Sequence, residues 1–187
     1  MPTKKATLLS LDLEMTGLDP NTELILEVGA VAVDDDLNEV ASFQVLVNPG
    51  AEAIRCIGDI VYDMHTANGL LSEIERDGRG VQSAERAFVD WMTATFHGTT
   101  FPIPVLGDCF HLDWEFLRRE MPMAFNLLHY EHCDIGSANA LLKRLGVNLP
   151  ADPGSKVKHR SLSDARAAVQ WAKSWKLWLG TSKAFQT

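Results

Sequence analysis

The chain has 187 residues, of which 46% are hydrophobic and 22% are charged, a composition that supports a folded core and argues against disorder. Lys and Arg total 17 against 25 Asp and Glu, a formal net charge of −8, which excludes a general electrostatic coat for nucleic acid. Three cysteines do not make a disulfide framework, and neither a secretory signal nor a membrane span is indicated. We therefore expect one cytoplasmic domain over residues 1–187, with no membrane partner.

The first part of the chain predicts β structure. Apolar and polar residues alternate from Thr7 to Glu14, and the run Leu24–Val33 is mostly apolar with several β-branched residues. After a turn over residues 34–38, Val40–Val47 has the character of a third strand. Short connections of this kind predict an antiparallel meander.

The remainder predicts helices that alternate with short strands. Short strands are expected at Pro104–Gly107 and Cys133–Ile135, with a loop over residues 147–158. Helices are expected at Thr66–Arg76, Ser83–Phe96, Leu112–Glu120, Ser137–Leu145 and Ser161–Leu179. The pattern predicts an α/β fold with a mixed central sheet flanked by helices.

Two carboxylates on the first strand are candidate metal ligands. Asp12 and Glu14 are two residues apart, so they share one face of the strand, about 7 Å apart along the chain. Neighbouring carboxylates either raise a pKa or hold a cation between them, and oxygen ligands suit Mg²⁺. A solvated strand face is the ordinary explanation for such a pair on its own. The turn after it, Met15–Pro20, would place backbone amides and Thr16 beside a substrate.

Three further residues are candidates with equally ordinary explanations. Asp113 lies at the start of a predicted helix, shortly after a short strand. It could bind a ligand at the end of the strand, or it could stabilise the helix N-terminus through the helix dipole. His159 lies in a basic loop and Asp164 in the first turn of the last helix. This pair suits a general base beside an acid, but also a surface loop and a helix cap.

The order and spacing of the blocks resemble the DEDDh exonucleases, most closely the oligoribonuclease family. His159 and Asp164 have that family's spacing of four intervening residues. The matching blocks, in chain order, are Asp12–Pro20, Glu27–Val31, His65–Leu70, Gly107–Asp113 with Phe116–Arg118, and His159–Arg166. The resemblance implies a ribonuclease H-like fold and 3′→5′ hydrolysis of nucleic acid.

The resemblance also implies roles for individual residues at the reaction centre. Asp12, Glu14, Asp113 and Asp164 would hold two Mg²⁺ or Mn²⁺ ions, with Asp12 bridging them. His159 would remove the proton of the attacking water. The ions would neutralise the carboxylates locally, which reconciles an acidic protein with a phosphate chain.

Substrate contacts are implied in the same way. Leu18 would insert between the last two bases, beside Met15 and Thr16, and His65 would contact the terminal nucleotide. Tyr130 would stack on substrate bound to the partner subunit of a homodimer. The alternative for Tyr130 is a half-buried aromatic, and the alternative for His65 is a structural role.

The basic loop before the last helix offers one more possible contact. Lys156, Lys158 and Arg160 could form a basic lip for phosphates or a solvated loop. The residues themselves do not decide between the two.

The sequence departs from the family where a substrate's 5′ phosphate is capped. Asp108-Cys109 replaces Asn-Ser, Glu131 replaces Arg, Gly136 replaces Ser, and no Trp stands near Ile60. Replacing a cationic donor by an acid turns attraction for a phosphate into repulsion. We therefore expect the chemistry to be retained and the preference for dinucleotides to be lost.

Three hypotheses follow. The first is a 3′→5′ exonuclease of short single-stranded RNA that releases 5′-mononucleotides. The second keeps the catalysis but acts on single-stranded DNA or longer chains, and the third is a non-catalytic nucleic-acid-binding module. The sequence leaves open the sugar and length preference, the oligomeric state and the biological pathway.

Overall fold

A computed structural model describes residues 5–98, 101–152 and 159–181. Five strands form one sheet in the order β3-β2-β1-β4-β5. β1 and β3 are antiparallel to β2, whereas β4 and β5 run parallel to β1. The strands are β1 (Leu8–Met15), β2 (Ile25–Val33), β3 (Glu39–Leu46), β4 (Val105–Gly107) and β5 (Cys133–Asp134). The predicted mixed sheet, with its antiparallel meander, is confirmed.

Helices flank the sheet, as expected. In chain order they are α1 (Ala51–Arg55), α2 (Asp59–Ala67), α3 (Leu70–Asp77), α4 (Val81–Thr95), α5 (His111–Glu120), α6 (Pro122–Phe125), α7 (Ile135–Arg144) and α8 (Ser161–Thr181). No helix in the described ranges is both long and apolar enough to cross a bilayer. Cys56, Cys109 and Cys133 are exposed free thiols.

The prediction of one helix over Thr66–Arg76 is wrong. The segment belongs to two helices, α2 and α3, which are separated at Asn68 and Gly69, where Gly69 has a φ of +82°. The apolar side chains of α2 do not form one buried stripe: Ile60 and Tyr62 are 86% and 44% exposed, whereas Val61 packs against the core cluster that contains Leu70 and Ile74. Amphipathic periodicity identifies a helix most clearly when its apolar residues follow one regular stripe, and those of α2 do not.

Several helix ends also differ from the prediction. α4 begins after Gly80, so Ser83 lies inside the helix and does not cap it. α8 continues through Gly180 to Thr181, whereas Gly146 has the positive φ of +80° expected of a glycine that follows a helix. A glycine ends a helix only where the chain adopts the left-handed conformation.

Alternation along β1 separates the core from the face that carries the carboxylates. Leu9, Leu11 and Leu13 are buried in the main core, which includes Phe88 of α4 and Phe116 of α5. The opposite face of the sheet packs against α8. Each buried large apolar side chain contributes about 1.5–3 kcal/mol to folding, which fixes the orientation of β1 and therefore of its acidic residues.

Candidate active site

A close approach between α8 and the sheet brings distant acids together. Asp12 pairs with Gly29 of β2, and a Cβ atom at Gly29 would lie only 2.1 Å from the backbone N of Leu162. Ser10 Oγ donates a hydrogen bond of 2.8 Å to the carbonyl oxygen of Ala165. The first turn of α8 therefore rests directly on the strands, and Asp164 faces the carboxylates of β1.

The resulting cluster fits a hard divalent cation. Ligand oxygens of Asp12, Glu14 and Asp164 all lie within 4.8 Å of one another. An all-oxygen donor set of carboxylates is the set that Mg²⁺ and Mn²⁺ prefer. The structure thus brings together three of the four predicted metal ligands.

Asp113, the fourth predicted ligand, adjoins this group without being part of it. It lies in the first turn of α5 and is buried, and its Oδ1 accepts a 2.8 Å hydrogen bond from the backbone N–H of Leu13. One carboxylate oxygen is therefore engaged in fixing β1. The predicted metal ligation by Asp113 stays a prediction.

Burial and mutual repulsion raise the pKa of these carboxyl groups. Burial raises the pKa of Asp12 well above its ordinary value, and the charges of the neighbouring acids, that of Asp113 most, raise it further. Burial raises the pKa of Glu14 to about 8, with a further contribution from Glu27. Burial also raises the pKa of Asp113 to about 7, although the hydrogen bond from Leu13 opposes the shift. Metal binding must therefore displace protons from the cluster.

We expect the metal-free protein to lose stability as pH rises. An acid whose pKa is raised by folding binds more protons when folded, so the free energy of unfolding falls as pH rises. The loss should extend from an ordinary carboxyl pKa, about 4, through the folded values of about 7 for Asp113 and about 8 for Glu14. Thermal melts in a chelator should show a decrease of several degrees in Tm over this range.

Glu14→Gln supplies the matched control for this prediction. The neutral amide should give a flatter decrease in Tm, and Mn²⁺ should flatten the wild-type curve. A Tm for the wild-type protein that rises across the range, or a Glu14→Gln curve identical to it, would contradict the electrostatic account.

His159 shares one cleft with the acidic cluster. A cavity of about 200 Å³ is lined by Asp12, Glu14, Asp164 and His159, and by Asp108, Asp152, Ala167 and Trp171. His159 has a φ of +48°, an uncommon conformation for a residue other than glycine. Sequence reasoning did not identify Asp152 and Trp171 as part of the cleft, because nothing in their local pattern relates them to β1.

His65 lies beneath the cleft and not on its surface. The ring is fully buried, and its Nε2 is 3.1 Å from the carbonyl oxygen of Met15 and 3.9 Å from a carboxylate oxygen of Glu14. Burial lowers the pKa of His65, which favours the neutral ring. The ring is positioned to support the end of β1. Its predicted contact with a nucleotide stays untested, and the surrounding side chains cover it here.

The loop after β1 presents Leu18 to solvent. Thr16 is buried, its hydroxyl donates to the carboxylate of Glu23, and its Oγ1 accepts a 2.9 Å hydrogen bond from the backbone N–H of Leu24. The backbone N–H of Thr16 also donates a 2.9 Å hydrogen bond, to the carbonyl oxygen of Leu24, so the predicted contact of Thr16 with substrate stays untested. Leu18, by contrast, is 72% exposed, as an inserted side chain requires.

Tyr130 is also available for contact. The ring is 73% exposed and stacks on His129, with centroids 4.7 Å apart. Its hydroxyl lies 3.3 Å from a carboxylate oxygen of Glu131. A half-buried structural role does not describe this residue, and the predicted stacking on substrate is compatible with its exposure.

Arg160 does not form the basic lip that was one of its two possible roles. Its guanidinium pairs with Glu27 and Glu73, and Lys156 and Lys158 lie outside the described residues. Sequence reasoning missed this network, although a signal was present. Glu27 is the one acid in the otherwise apolar strand β2, and a buried acid requires a partner.

Comparison with known proteins gives matches over most of the chain. A family model described as exonuclease, RNase T, matches residues 9–171. The oligoribonuclease of Corynebacterium diphtheriae is 33% identical over 169 residues, which cover 89% of this chain and 80% of that protein. The oligoribonuclease of Mannheimia succiniciproducens is 31% identical over 163 residues, 87% of each protein.

Solved structures of similar fold include exonuclease I of Escherichia coli in its zinc-bound complex with single-stranded DNA. The TM-score is 0.66 at 18% identity, and the match covers 95% of this chain and 42% of that chain. Exonuclease I from Methylocaldum szegediense gives 0.61 at 15% identity, over 93% of this chain and 41% of the other. The chain thus spans about two fifths of these enzymes. At such identities the likeness concerns the fold alone, and it confirms the ribonuclease H-like fold.

Proposed function

This chain belongs to the exonuclease (RNase T) family of oligoribonuclease-like 3′→5′ exonucleases, and from that premise we propose that it degrades short single-stranded RNA to 5′-mononucleotides. One observation carries the proposal: the carboxylates of Asp12, Glu14 and Asp164 meet in a cleft that His159 also lines. A non-catalytic binding module would not require a general base beside such a cluster.

The acidic residues would hold the metal ions. Asp12, Glu14 and Asp164, together with Asp113, would offer ligands for two Mg²⁺ or Mn²⁺ ions. Bound in pairs, such ions lower the pKa of water and stabilise the attacking and leaving oxygens of phosphodiester hydrolysis. The raised pKa values of Glu14 and Asp113 imply that these carboxyls give up protons when the ions bind.

His159 would complete the chemistry as general base. Its imidazole accepts a proton from the attacking water, and the open end of the cleft lets the proton pass to solvent. The acids themselves are poor bases for this step once they ligate cations, because their lone pairs are engaged. The imidazole of His159 would supply a proton acceptor beside them without adding negative charge opposite the phosphate.

Two exposed residues would hold the substrate. Leu18, projecting from the loop after β1, would insert between the last two bases, and Tyr130 would stack on a base held by the partner subunit of a homodimer. Both side chains are exposed as these contacts require. Homodimeric assembly and a cytoplasmic location remain predictions.

A second candidate, action on longer chains or on DNA, is favoured by the position of Asp108. This carboxylate lines the cleft, and its Oδ1 lies 2.3 Å from where a Cβ atom of Gly136 would be. Asp108 therefore occupies the space that a serine at position 136 would need. Burial and the charge of Asp134 raise the pKa of Asp108, as expected in an acidic setting that repels a terminal phosphate.

A length series of RNA and DNA oligomers tests both candidates. With Mg²⁺ and oligomers from two nucleotides upward, faster release of 5′-mononucleotides from RNA supports the first candidate, and faster release from DNA or longer chains supports the second. A strong preference for dinucleotides contradicts the loss of the cap. No release from any oligomer contradicts both candidates.

Asp108→Asn should change the length preference. Removing a like charge beside the cleft should raise kcat/KM on 5′-phosphorylated dinucleotides by about tenfold, equivalent to about 1.4 kcal/mol. Longer oligomers should change much less, because their terminal phosphate lies elsewhere. Asp90→Asn, exposed on α4, is the matched control and should change neither rate. Equal effects of Asp108→Asn at all lengths would contradict the role of Asp108.

A further inference from the structure

Glu27 is a buried carboxylate with three donors around it. It lies on β2 and is fully buried. Its Oε1 accepts hydrogen bonds from Gln44 Nε2 at 2.6 Å and Arg160 Nη2 at 2.9 Å, and its Oε2 accepts from the backbone N–H of Ser161 at 2.8 Å. Two of the three donors belong to Ser161, the first residue of α8, and to Arg160, the residue before it. The carboxylate thus ties the start of α8 to the sheet.

Arg160 joins this carboxylate to a second one on another helix. Its Nη1 and Nη2 lie 3.1 Å and 2.6 Å from the two carboxylate oxygens of Glu73 on α3. A two-bond pairing of this kind fixes the plane of the guanidinium as well as its position. One side chain therefore connects β2, α3 and the chain that enters α8.

His159, the residue before Arg160, is held by a hydrogen bond to its backbone. Its carbonyl oxygen accepts a 2.6 Å hydrogen bond from Asn68 Nδ2, and Asn68 Oδ1 accepts from the backbone N–H of Leu70 at 3.0 Å. Asn68 lies between α2 and α3, so the same part of the molecule contacts both His159 and Arg160. The positive φ of His159 is a conformation that persists only where surrounding contacts fix it.

We propose that Arg160 and Asn68 are positioning residues that hold the His159 imidazole in reach of the attacking water, with Glu27 and Glu73 as the anchors of Arg160. The inference rests on the proposed function, since it presumes that His159 is the base. Neither residue needs to touch substrate or metal. Their effect is on the rate of the chemical step, because a misplacement of about 1 Å can cost about 10²-fold in rate.

Kinetics of Arg160→Gln and Asn68→Ala separate positioning from mere stabilisation. Each should lower kcat by about 10- to 100-fold while KM and the Kd for Mn²⁺ stay within about twofold. Arg166→Gln is the matched control: Arg166 lies on the same helix and pairs with both carboxylate oxygens of Glu39, away from His159. It should leave kcat unchanged. Arg160→Gln leaves the buried carboxylate of Glu27 without a cationic partner and could lower stability. Asn68→Ala leaves no buried charge unpaired, so this variant should retain the fold.

A double variant shows whether Arg160 acts through His159. If it does, Arg160→Gln adds no further loss of kcat to His159→Ala, whereas independent effects would multiply. Multiplying effects, or wild-type kcat in both single positioning variants, would overturn the inference while leaving the proposed function intact. Wild-type kcat in His159→Ala would instead overturn the proposed base, and with it the inference.

Discussion

Asp12→Asn should abolish nuclease activity and at the same time stabilise the metal-free protein. Asp12 is one of the three acids whose carboxylate oxygens meet in the cluster, and the charges of Asp113, Glu14, Asp164 and Glu27 all raise its pKa. Loss of a ligand there should lower kcat by at least about 10³-fold in Mg²⁺. Loss of its charge removes repulsion, which should raise the Tm of the metal-free protein at pH values above neutral.

Two measurements together decide this prediction. Mononucleotide release from a labelled RNA oligomer reports activity, and thermal melts in a chelator report stability. An inactive variant with a lowered Tm would indicate a folding defect and would contradict the repulsion between Asp12 and its neighbours. Retained activity would contradict its role as a ligand, and Asp90→Asn, which removes an exposed acid, should change neither quantity.

His159→Ala should lower kcat by about 10²- to 10⁴-fold, the contribution of a positioned general base. Metal binding should persist, because the acids that would bind the ions remain in place. Calorimetry with Mn²⁺ should therefore give the wild-type Kd for a protein that is almost inactive. This combination distinguishes a base from a metal ligand, because loss of a ligand lowers kcat and also weakens Mn²⁺ binding.

Added imidazole offers a second readout for the same variant. The cleft of about 200 Å³ that His159 lines has room for an imidazole molecule once the His159 side chain is removed. Added imidazole should therefore restore part of kcat. His97→Ala, which removes an exposed histidine, is the matched control. A His159→Ala variant within about threefold of wild-type kcat would place the base elsewhere.

The sequence predicted the part of the site that depends on local periodicity. Asp12 and Glu14 share a face because a strand has a period of two, and their neighbours Leu11 and Leu13 point into the core. The approach of Asp164 has no local signal. It depends on the missing side chain of Gly29, which lets α8 rest on the strand, and only the family resemblance related the two ends of the chain.

The ion pair between Glu27 and Arg160 could not be predicted from the sequence pattern. A lone acid in the apolar strand β2 indicates that some cation must meet it, but nothing local identifies Arg160, 133 positions further along, as that cation. The same residue was equally compatible with a solvated loop. Only the packing of α3 and α8 against β2 shows that it is a structural pair and not a phosphate contact.

The claim on which the account depends is that these distant acids converge on divalent cations. Anomalous diffraction from crystals soaked in Mn²⁺ tests it directly. The account predicts two manganese peaks bounded by the carboxylates of Asp12, Glu14, Asp113 and Asp164, with the His159 imidazole facing the same space. Crystals in which these carboxylates point apart, with no manganese between them, would contradict it.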